Sequence, residues 1–304
     1  MKRILTVVML LTVLSINAQN TILINNVEIF NGKDEKTIMA NVLIVNNIIS
    51  KISTLPIVTD KRRETKVIDG KGKFLMPGLI DAHMHESLSG ITQRVMTEGD
   101  IAETYISAGI EANNILLRGF TSIRDMGGPS FGIKSSIDKG LINGPRFYPS
   151  GSMISQTSGH GDFRTINERP LLLGGSLHYS EIVGVCTIAD GKDAVLVAVR
   201  ENLKKGATQI KLHAGGGVSS SFDPIDVSEY TEEELRAAVE TASDWGTYVA
   251  VHAFTARAVN KAIRAGVQCI EHGQLLDEAT MKLMGEKGIW LSIQALDPEG
   301  RADF

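Results

Sequence analysis

The chain has 304 residues, of which 43% are hydrophobic and 22% are charged, and its formal net charge is −4. This length and composition predict a globular protein with enough chain to bury a large core. A content of 30 glycines and 8 prolines excludes collagen-like and low-complexity chains. The acidic balance excludes the basic surface that nucleic acids require, so we expect no nucleic-acid partner. Two cysteines cannot form a disulfide framework, and we expect both to be buried thiols.

Residues 1–18 have the pattern of a secretory signal peptide. Two basic residues precede an apolar run from Ile4 to Leu14, and Ala18 offers a small residue at a cleavage point. This run is short for a membrane span. We therefore expect export to the periplasm or the medium, with no membrane span after the signal is removed. A buried first strand and an uncleaved anchor are the alternatives.

Residues 19–75 form a segment of short predicted strands without helical periodicity. β-Branched runs bounded by Asn, Gly and Asp predict strands at Thr21 to Phe30, Ala40 to Val45 and Ile48 to Ile52. Asn46 and Asn47 predict a tight turn between the last two. From Pro77 onward, longer helical stretches appear between the apolar runs. We therefore place a domain boundary between residues 75 and 76.

From residue 76 to residue 304, short apolar strands alternate with longer helical stretches. Thr231 and Glu234 form a capping box at the start of one helix, and its apolar stripe begins at Leu235. Alternation of this kind predicts a parallel sheet, and seven units predict a barrel. The predicted strands are Leu79 to His85, Thr121 to Asp125, Arg146 to Ser150, Thr208 to His213, Tyr248 to His252, Gln268 to His272 and Ile289 to Gln294.

Four histidines occupy predicted strand ends. His83 and His85 are two residues apart on one strand, so both rings face the same side. His252 and His272 each close a short apolar strand. Because strand ends of a barrel converge at one rim, the four rings can surround a metal ion. Solvated turn histidines and satisfied core histidines are the alternatives for the single residues.

Lys211 stands between Ile210 and Leu212 in a predicted buried strand. Lysine seldom occupies such a position without a partner. Burial lowers the pKa of an amine and makes it nucleophilic, so that it can capture carbon dioxide as a carbamate. A core salt bridge to a glutamate and a lysine at a sheet edge are the alternatives.

Taken together, these residues resemble the amidohydrolase superfamily. The segment Leu79 to His85 is similar to its first-strand signature, Lys211 matches the carboxylated lysine of strand four, and His252 and His272 match the ligands of strands five and six. The nearest subgroup contains imidazolonepropionase-like proteins and Xaa-Pro dipeptidases. The resemblance implies a (β/α)8 TIM-type barrel, of the α/β class, with a small β-sandwich to which residues 19–75 contribute.

The resemblance also implies a cofactor and a reaction. Two divalent metal ions, which we expect to be zinc, would be held by His83, His85, carboxylated Lys211, His252 and His272. They would activate a bridging water for attack on an amide or peptide C–N bond. The substrate would be a dipeptide or an N-acyl amino acid.

Two further histidines are candidate substrate-binding residues. His160 lies in a glycine-rich loop that, in dipeptidase-like relatives, approaches the substrate carboxylate; a turn histidine is the alternative. His213 shares a strand face with Lys211 and is either a neighbour of the ligands or a polar core residue. Gly215, Gly216 and Gly217 lack the Gly-Lys-Ser/Thr ending of a phosphate-binding loop.

The sequence departs from the family pattern at two places. The family's general-base aspartate follows strand eight, and the sequence ends after the predicted strand seven, where Asp297 does not substitute for it. We therefore identify no catalytic residue and expect a barrel without its last strand–helix unit, open to self-association and of low activity. The second departure is Phe254, where relatives of the dipeptidase type often have tyrosine. Other functional hypotheses are a cyclic-amide hydrolase resembling imidazolonepropionase, an inactive metal-binding protein, and a fragment unable to fold alone.

Overall fold

The computed structural model describes residues 20–60, 62 and 64–294. The predicted signal peptide and Asp297 lie outside the described residues, so export stays a prediction. No helix within the described ranges is long and apolar enough to cross a membrane. The chain divides into two compact units, Met1–Pro77 and Gly78–Phe304.

The first unit contains one sheet with strand order β3-β2-β1-β4. Neighbouring pairs β1–β2 and β2–β3 are antiparallel, β1–β4 is parallel, and β5 also pairs with β1. Asn46 takes a positive φ of 57° in the hairpin turn, a conformation that asparagine tolerates well. The strands are β1 (Thr21–Ile29), β2 (Ile38–Val45), β3 (Ile48–Ser53), β4 (Thr65–Asp69) and β5 (Phe74–Leu75).

Two of these strands were not predicted. β4 has five residues without a strict alternation of polar and apolar side chains, and β5 has two residues, so neither carries a strong strand pattern. The sheet buries one small apolar cluster, which contains Val27, Ile29, Ala40 and Val42.

The second unit alternates strands and helices, which confirms the predicted α/β class. Its elements begin with β6 (Leu79–Met84), α1 (Glu86–Ser89), α2 (Gln93–Glu98), α3 (Ile101–Leu117), β7 (Phe120–Asp125), α4 (Phe131–Asp138), β8 (Arg146–Pro149) and β9 (Met153–Ser155). A 3-10 turn at Leu171–Leu173 follows, and then α5 (Tyr179–Ile182), β10 (Cys186–Ile188), α6 (Lys192–Lys204) and β11 (Ile210–His213). The remaining elements are α7 (Glu232–Asp244), β12 (Val249–Thr255), α8 (Ala256–Ala265), β13 (Cys269–Leu275), α9 (Glu278–Lys287) and β14 (Trp290–Ser292).

Every strand pair in this unit is parallel within the described residues. One sheet has the order β6-β7-β8, and the other has the order β10-β9-β11-β12-β13-β14. Strands from β11 to β14 pair in chain order with a helix between each, the arrangement that buries both faces of a parallel sheet. The largest core cluster lies between these strands and helices α6, α7 and α8. Closure of the sheets into a barrel stays a prediction.

Two local predictions about this unit have different outcomes. The capping box at α7 is confirmed, because Thr231 accepts a hydrogen bond from the backbone of Glu234 and the Glu234 side chain returns one. The prediction that His252 and His272 close their strands is wrong. β12 continues to Thr255 and β13 to Leu275, since the two strands stay paired past a register shift after Ala253. Both cysteines are free and buried, as predicted.

Candidate metal centre

Four histidine rings predicted to be ligands lie next to one another in the second unit. The ring centroids of His83 and His85 are 5.3 Å apart, and those of His83 and His272 are 4.9 Å apart. The His272 ring is 4.4 Å from the ring of His252. Strands β6, β12 and β13 therefore bring together residues that are far apart in the sequence.

His83 and His85 approach each other through their Nε2 atoms, which are 3.3 Å apart. Two nitrogens bound to one tetrahedral zinc ion, each about 2.0–2.1 Å from it, lie about 3.3 Å from each other. The spacing of this pair therefore matches two ligands of a single ion. His85 has left the strand and precedes α1, so the pair depends on the turn at the end of β6.

Each ring is anchored through one nitrogen, and the anchor fixes the tautomer. His83 Nδ1 donates to Oε2 of Glu271 over 2.7 Å, and His85 Nδ1 donates to the carbonyl of Gly127 over 3.0 Å. Carboxylates and carbonyls only accept, so the hydrogen is on Nδ1 in both rings. The Nε2 lone pairs of both rings remain available.

His272 and His252 are also each anchored through one ring nitrogen, but not through the same one. His272 Nδ1 donates to the Gln294 side chain over 2.6 Å, which leaves Nε2 bare. His252 donates through Nε2 to the carbonyl of Gly216 over 3.1 Å, which leaves Nδ1 bare. A ring that is held by one nitrogen and exposes a lone pair on the other is the arrangement of metal-binding histidines.

Burial lowers the pKa of all four rings, and neighbouring positive charge lowers it further. The pKa of His272 is lowered to about 3 by burial and by Lys211, and the pKa of His85 and His252 falls well below the ordinary value. Burial and Lys211 also lower the pKa of His83. The rings are neutral at physiological pH, which is the state that binds metals.

Lys211 is the charged group that these histidines share. It lies in β11 between β9 and β12 and is only 1% exposed. Burial lowers its pKa from 10.5 to about 8. No hydrogen bond joins its ammonium group to any of the described residues. Burial thus increases the neutral fraction of this amine, and the neutral form is the nucleophilic one.

Two charged residues that the sequence analysis missed lie behind His83. Glu271 is fully buried and accepts a hydrogen bond from Arg124 over 2.7 Å as well as the one from His83. Burial by itself would raise the pKa of Glu271, but the bond from His83 and the charge of Lys211 lower it to about 2. The sequence could have identified Glu271, because it is a charged residue in an apolar strand, as Lys211 is.

The backbone of His272 is itself unusual. Its φ of 77° lies in the left-handed region, which a residue with a side chain adopts only when the surrounding structure requires it. Gly273 follows with a φ of 66°. This pair of residues turns β13 at the position where the His272 ring meets those of His83 and His252.

The two candidate substrate-binding histidines lie beside this group. The ring of His160 stacks on that of His252, with centroids 4.0 Å apart and planes at 10°. His213 donates through Nδ1 to the backbone carbonyl of His160 and is 1% exposed, so it lies beneath the loop. The ring of Phe254 stacks on that of His272, with centroids 5.2 Å apart, and also contacts the ring of His252. It therefore places an apolar surface next to these two histidines.

The four histidines lie as two pairs of rings. Within the described ranges, no three His, Cys, Asp or Glu side chains form a ready-made metal-binding group. The histidines instead form one pair with Nε2 atoms 3.3 Å apart and a second pair with rings 4.4 Å apart.

Comparison with known proteins finds similarity to hydrolases in both sequence and structure. It is 32% identical to ochratoxinase of Aspergillus niger over 276 residues, which are 85% of this chain and 55% of the relative. A crystal structure of a prolidase complexed with N-methylphosphonate-L-proline matches with a TM-score of 0.80 and 36% identity, over 90% of this chain and 65% of the other. A Xaa-Pro dipeptidase with bound methionine matches with a TM-score of 0.75 and 30% identity, over 90% of this chain and 66% of the other.

The chain thus spans about half the length of the curated relative and less than two thirds of the two solved structures. The resemblance to a dipeptidase-like subgroup, inferred from the histidine and lysine motifs, is confirmed by these neighbours. Residues 74–302 match the amidohydrolase family. Since this match covers most of the chain, the protein belongs to the amidohydrolase family.

Proposed function

We propose that the chain forms the metal-binding part of a hydrolase that cleaves the amide C–N bond of a dipeptide or an N-acyl amino acid. The observation that carries the proposal is the tautomer pattern of the four histidines. Each ring is held through one nitrogen, which leaves a lone pair on its other nitrogen. Similarity to ochratoxinase and to a prolidase supports this reaction class.

His83, His85, His252 and His272 would hold two divalent metal ions, with Lys211 between them. When bound, the ions would polarise the substrate carbonyl and supply a water of lowered pKa. Zinc suits the imidazole donors. The neutral state of the rings requires no loss of protons before a metal binds.

Lys211 would complete the donor set as a carbamate. Its neutral Nζ forms a bond to the carbon of carbon dioxide, one C=O electron pair moves onto oxygen, and one amine proton passes to solvent. The product carries a single negative charge and two oxygens. These oxygens would add to the histidine nitrogens that hold the metal ions. The low pKa of Lys211, about 8, supports this step because the amine must first be neutral.

The substrate would lie between His160 and Phe254. Phe254 contacts two of the histidine rings and offers an apolar surface to the substrate. His160 would lie near the substrate carboxylate, and His213 would support the backbone of His160 from beneath. The surrounding frame would be a (β/α) barrel, as the high TM-scores of related hydrolases suggest.

Equilibrium dialysis against zinc, with and without bicarbonate, tests this function. We expect about two equivalents of zinc per chain with bicarbonate, and a loss of occupancy in Lys211→Ala. Lys205→Ala is the matched control, because Lys205 is exposed and pairs with Glu201 on the surface of α6. Hydrolysis of Xaa-Pro dipeptides and N-acyl amino acids is assayed in parallel.

Unchanged zinc content in Lys211→Ala would contradict the bridging lysine. A single equivalent in both proteins would favour the cyclic-amide hydrolase instead. Absence of zinc binding at every bicarbonate concentration would remove the proposed function altogether.

A further inference from the structure

The turn that carries His85 is bound to the segment that follows β7. The backbone amide of Met126 donates to the carbonyl of Met84 over 2.7 Å, and Nδ1 of His85 donates to the carbonyl of Gly127 over 3.0 Å. The register between β6 and β7 shifts between Asp81 and Met84, so regular strand pairing does not fix this turn. The position of His85 therefore depends on the contacts that the segment after β7 supplies.

Asp125 makes the side-chain contact to this turn. It is the last residue of β7 and is fully buried, and its Oδ1 accepts from the backbone amide of Glu86 over 3.0 Å. Glu86 begins α1, and the first amides of a helix have no partner within the helix. His85 is the N-cap residue of α1, but its side chain accepts no bond from the helix. Asp125 thus supplies from another strand the acceptor that an N-cap side chain would provide.

Two glycines allow the segment after β7 to approach so closely. Gly127 and Gly128 have φ angles of 145° and 133°, which residues with a side chain seldom adopt. A Cβ on Gly127 would lie 2.1 Å from Cγ of Met153, and a Cβ on Gly128 would lie 2.2 Å from Oγ of Ser87. Both positions require glycine, because the segment is packed tightly between the turn and β9.

The spacing of His83 and His85 depends on this support. The Nε2 atoms of the two rings are 3.3 Å apart, and His83 is fixed separately by its bond to Glu271. Without Asp125 the amide of Glu86 would lack its acceptor, and the turn would have to move to satisfy it. Because two ligands of one ion must keep a fixed separation, such a movement weakens the pair as a metal site.

We propose that Asp125 is a positioning residue, which caps the turn after β6 and thereby holds His85 at the distance from His83 at which both bind one metal ion. Asp125 acts through the backbone of Glu86 and is not itself a ligand. The proposal rests on the metal-binding function proposed above, but the position of the turn is measurable without a metal.

Competition with a chelating dye at pH 8 measures the affinity for the first equivalent of zinc. We expect Asp125→Ala to weaken it by about tenfold or more, as the loss of other outer partners of metal ligands does. Asp125→Asn keeps an oxygen that can accept from Glu86 and should bind zinc as the wild type does. Ile123→Val is the matched control, because it shortens a buried side chain of the same strand without removing a bond to the turn.

Nitrogen-15 spectra of histidine-labelled protein at pH 8, without metal, follow the turn itself. The His85 signal is identified by its absence in His85→Gln. We expect Nδ1–H at His85 in the wild type, in Asp125→Asn and in Ile123→Val, because the carbonyl of Gly127 accepts from it. In Asp125→Ala the signal should shift as the ring leaves Gly127. If this variant does not fold, Asp125→Leu fills more of the space without an acceptor and takes its place.

Unchanged zinc affinity in Asp125→Ala would overturn the proposal. Equal weakening in Ile123→Val would also overturn it, since zinc binding would then follow stability alone. Equal weakening in Asp125→Asn would do the same, because the charge and not the acceptor would matter. If the wild type binds no zinc, the proposed function fails and the His85 signal decides: a shift confined to Asp125→Ala supports the positioning, and a wild-type signal in that variant contradicts it.

Discussion

His83 and Glu271 form a hydrogen bond of 2.7 Å between two strands that are 188 residues apart in the sequence. Glu271 accepts from Arg124 with its other oxygen, and Arg124 also donates to the carbonyl of Ala82. The ring of His83 is thus held by a carboxylate that is itself held by a guanidinium group. In metal sites, such outer partners fix the orientation and basicity of the ligand.

Replacement of Glu271 by glutamine should weaken metal binding, although Glu271 is not itself one of the proposed ligands. Zinc affinity should fall by about 10-fold to 100-fold, the usual effect of removing such an outer partner. The metal-free protein should lose about 3 kcal/mol of unfolding free energy, because Arg124 keeps its charge without a buried counterion. Competition with a chelating dye and urea unfolding measure the two effects.

Glu278→Gln is the control for this change, because Glu278 is an exposed residue at the start of α9. Wild-type zinc affinity in Glu271→Gln would show that the His83 ring is held by packing alone.

Lys211 should make the stability of the metal-free protein rise with pH. Its pKa is about 8 in the folded chain, because of burial, against 10.5 ordinarily. Between these values the unfolded chain binds a proton that the folded chain has released, so unfolding becomes less favourable as the pH rises. The full change is about 3 kcal/mol. Urea unfolding from pH 7.5 to pH 10.5 in buffer free of carbon dioxide measures it.

Lys211→Met keeps the length of the side chain without the charge. This variant should be more stable than the wild type at pH 7.5 and should show a flatter dependence on pH. Parallel curves for the two proteins would mean that Lys211 stays charged through the range.

The histidine group should destabilise the metal-free protein in mild acid. Burial and Lys211 lower the pKa of His272 to about 3, from 6.5 ordinarily. Below pH 6.5 the unfolded chain binds a proton that folded His272 does not, so stability falls as the pH falls. At pH 5 the loss from this residue is about 2 kcal/mol. His272→Gln should show a shallower decline between pH 7 and pH 5 in urea unfolding.

His178→Gln is the comparison for this experiment. His178 caps helix α5 and makes no ring contact with the group among the described residues, so its replacement should leave the decline caused by His272 in place. Identical slopes in wild type and His272→Gln would show that His272 is protonated in the folded protein.

A methyl group at Gly217 should disturb the His160 loop. The Cβ of Gly217→Ala would lie 2.2 Å from the ring, so the ring or the loop must move. We expect a loss of about 1–3 kcal/mol of unfolding free energy, as for other overpacked positions. Gly285→Ala is the matched control, because Gly285 lies in α9 with nothing within 4 Å of a Cβ. It should gain up to about 1 kcal/mol from helix propensity.

Thermal unfolding compares the two alanine variants. Equal stability of Gly217→Ala and the wild type would mean that the loop adjusts freely. The close approach of Gly217 to His160 would then not require a glycine.

The sequence by itself determined the class of fold and the identity of the candidate ligands. Apolar runs bounded by turn residues located seven of the nine described strands of the second unit to within a few residues, because burial on both faces demands such runs, but the three-residue strands β9 and β10 were missed. The lysine and the histidines in those runs could be singled out because polar side chains are seldom buried in a strand without a partner. The capping box at Thr231 was readable because it is a contact between near neighbours.

Only the tertiary structure decided which partner each of these residues has. The carboxylate that fixes His83 is 188 residues away, and that of Asp223, which contacts the His160 ring, is 63 residues from it. No local pattern encodes such contacts, because they arise when parallel strands pair and their loops meet. The tautomers of the rings and the low pKa of Lys211 depend in turn on these contacts and on burial. The chemistry of the group is therefore a property of the folded chain, although its atoms were visible in the sequence.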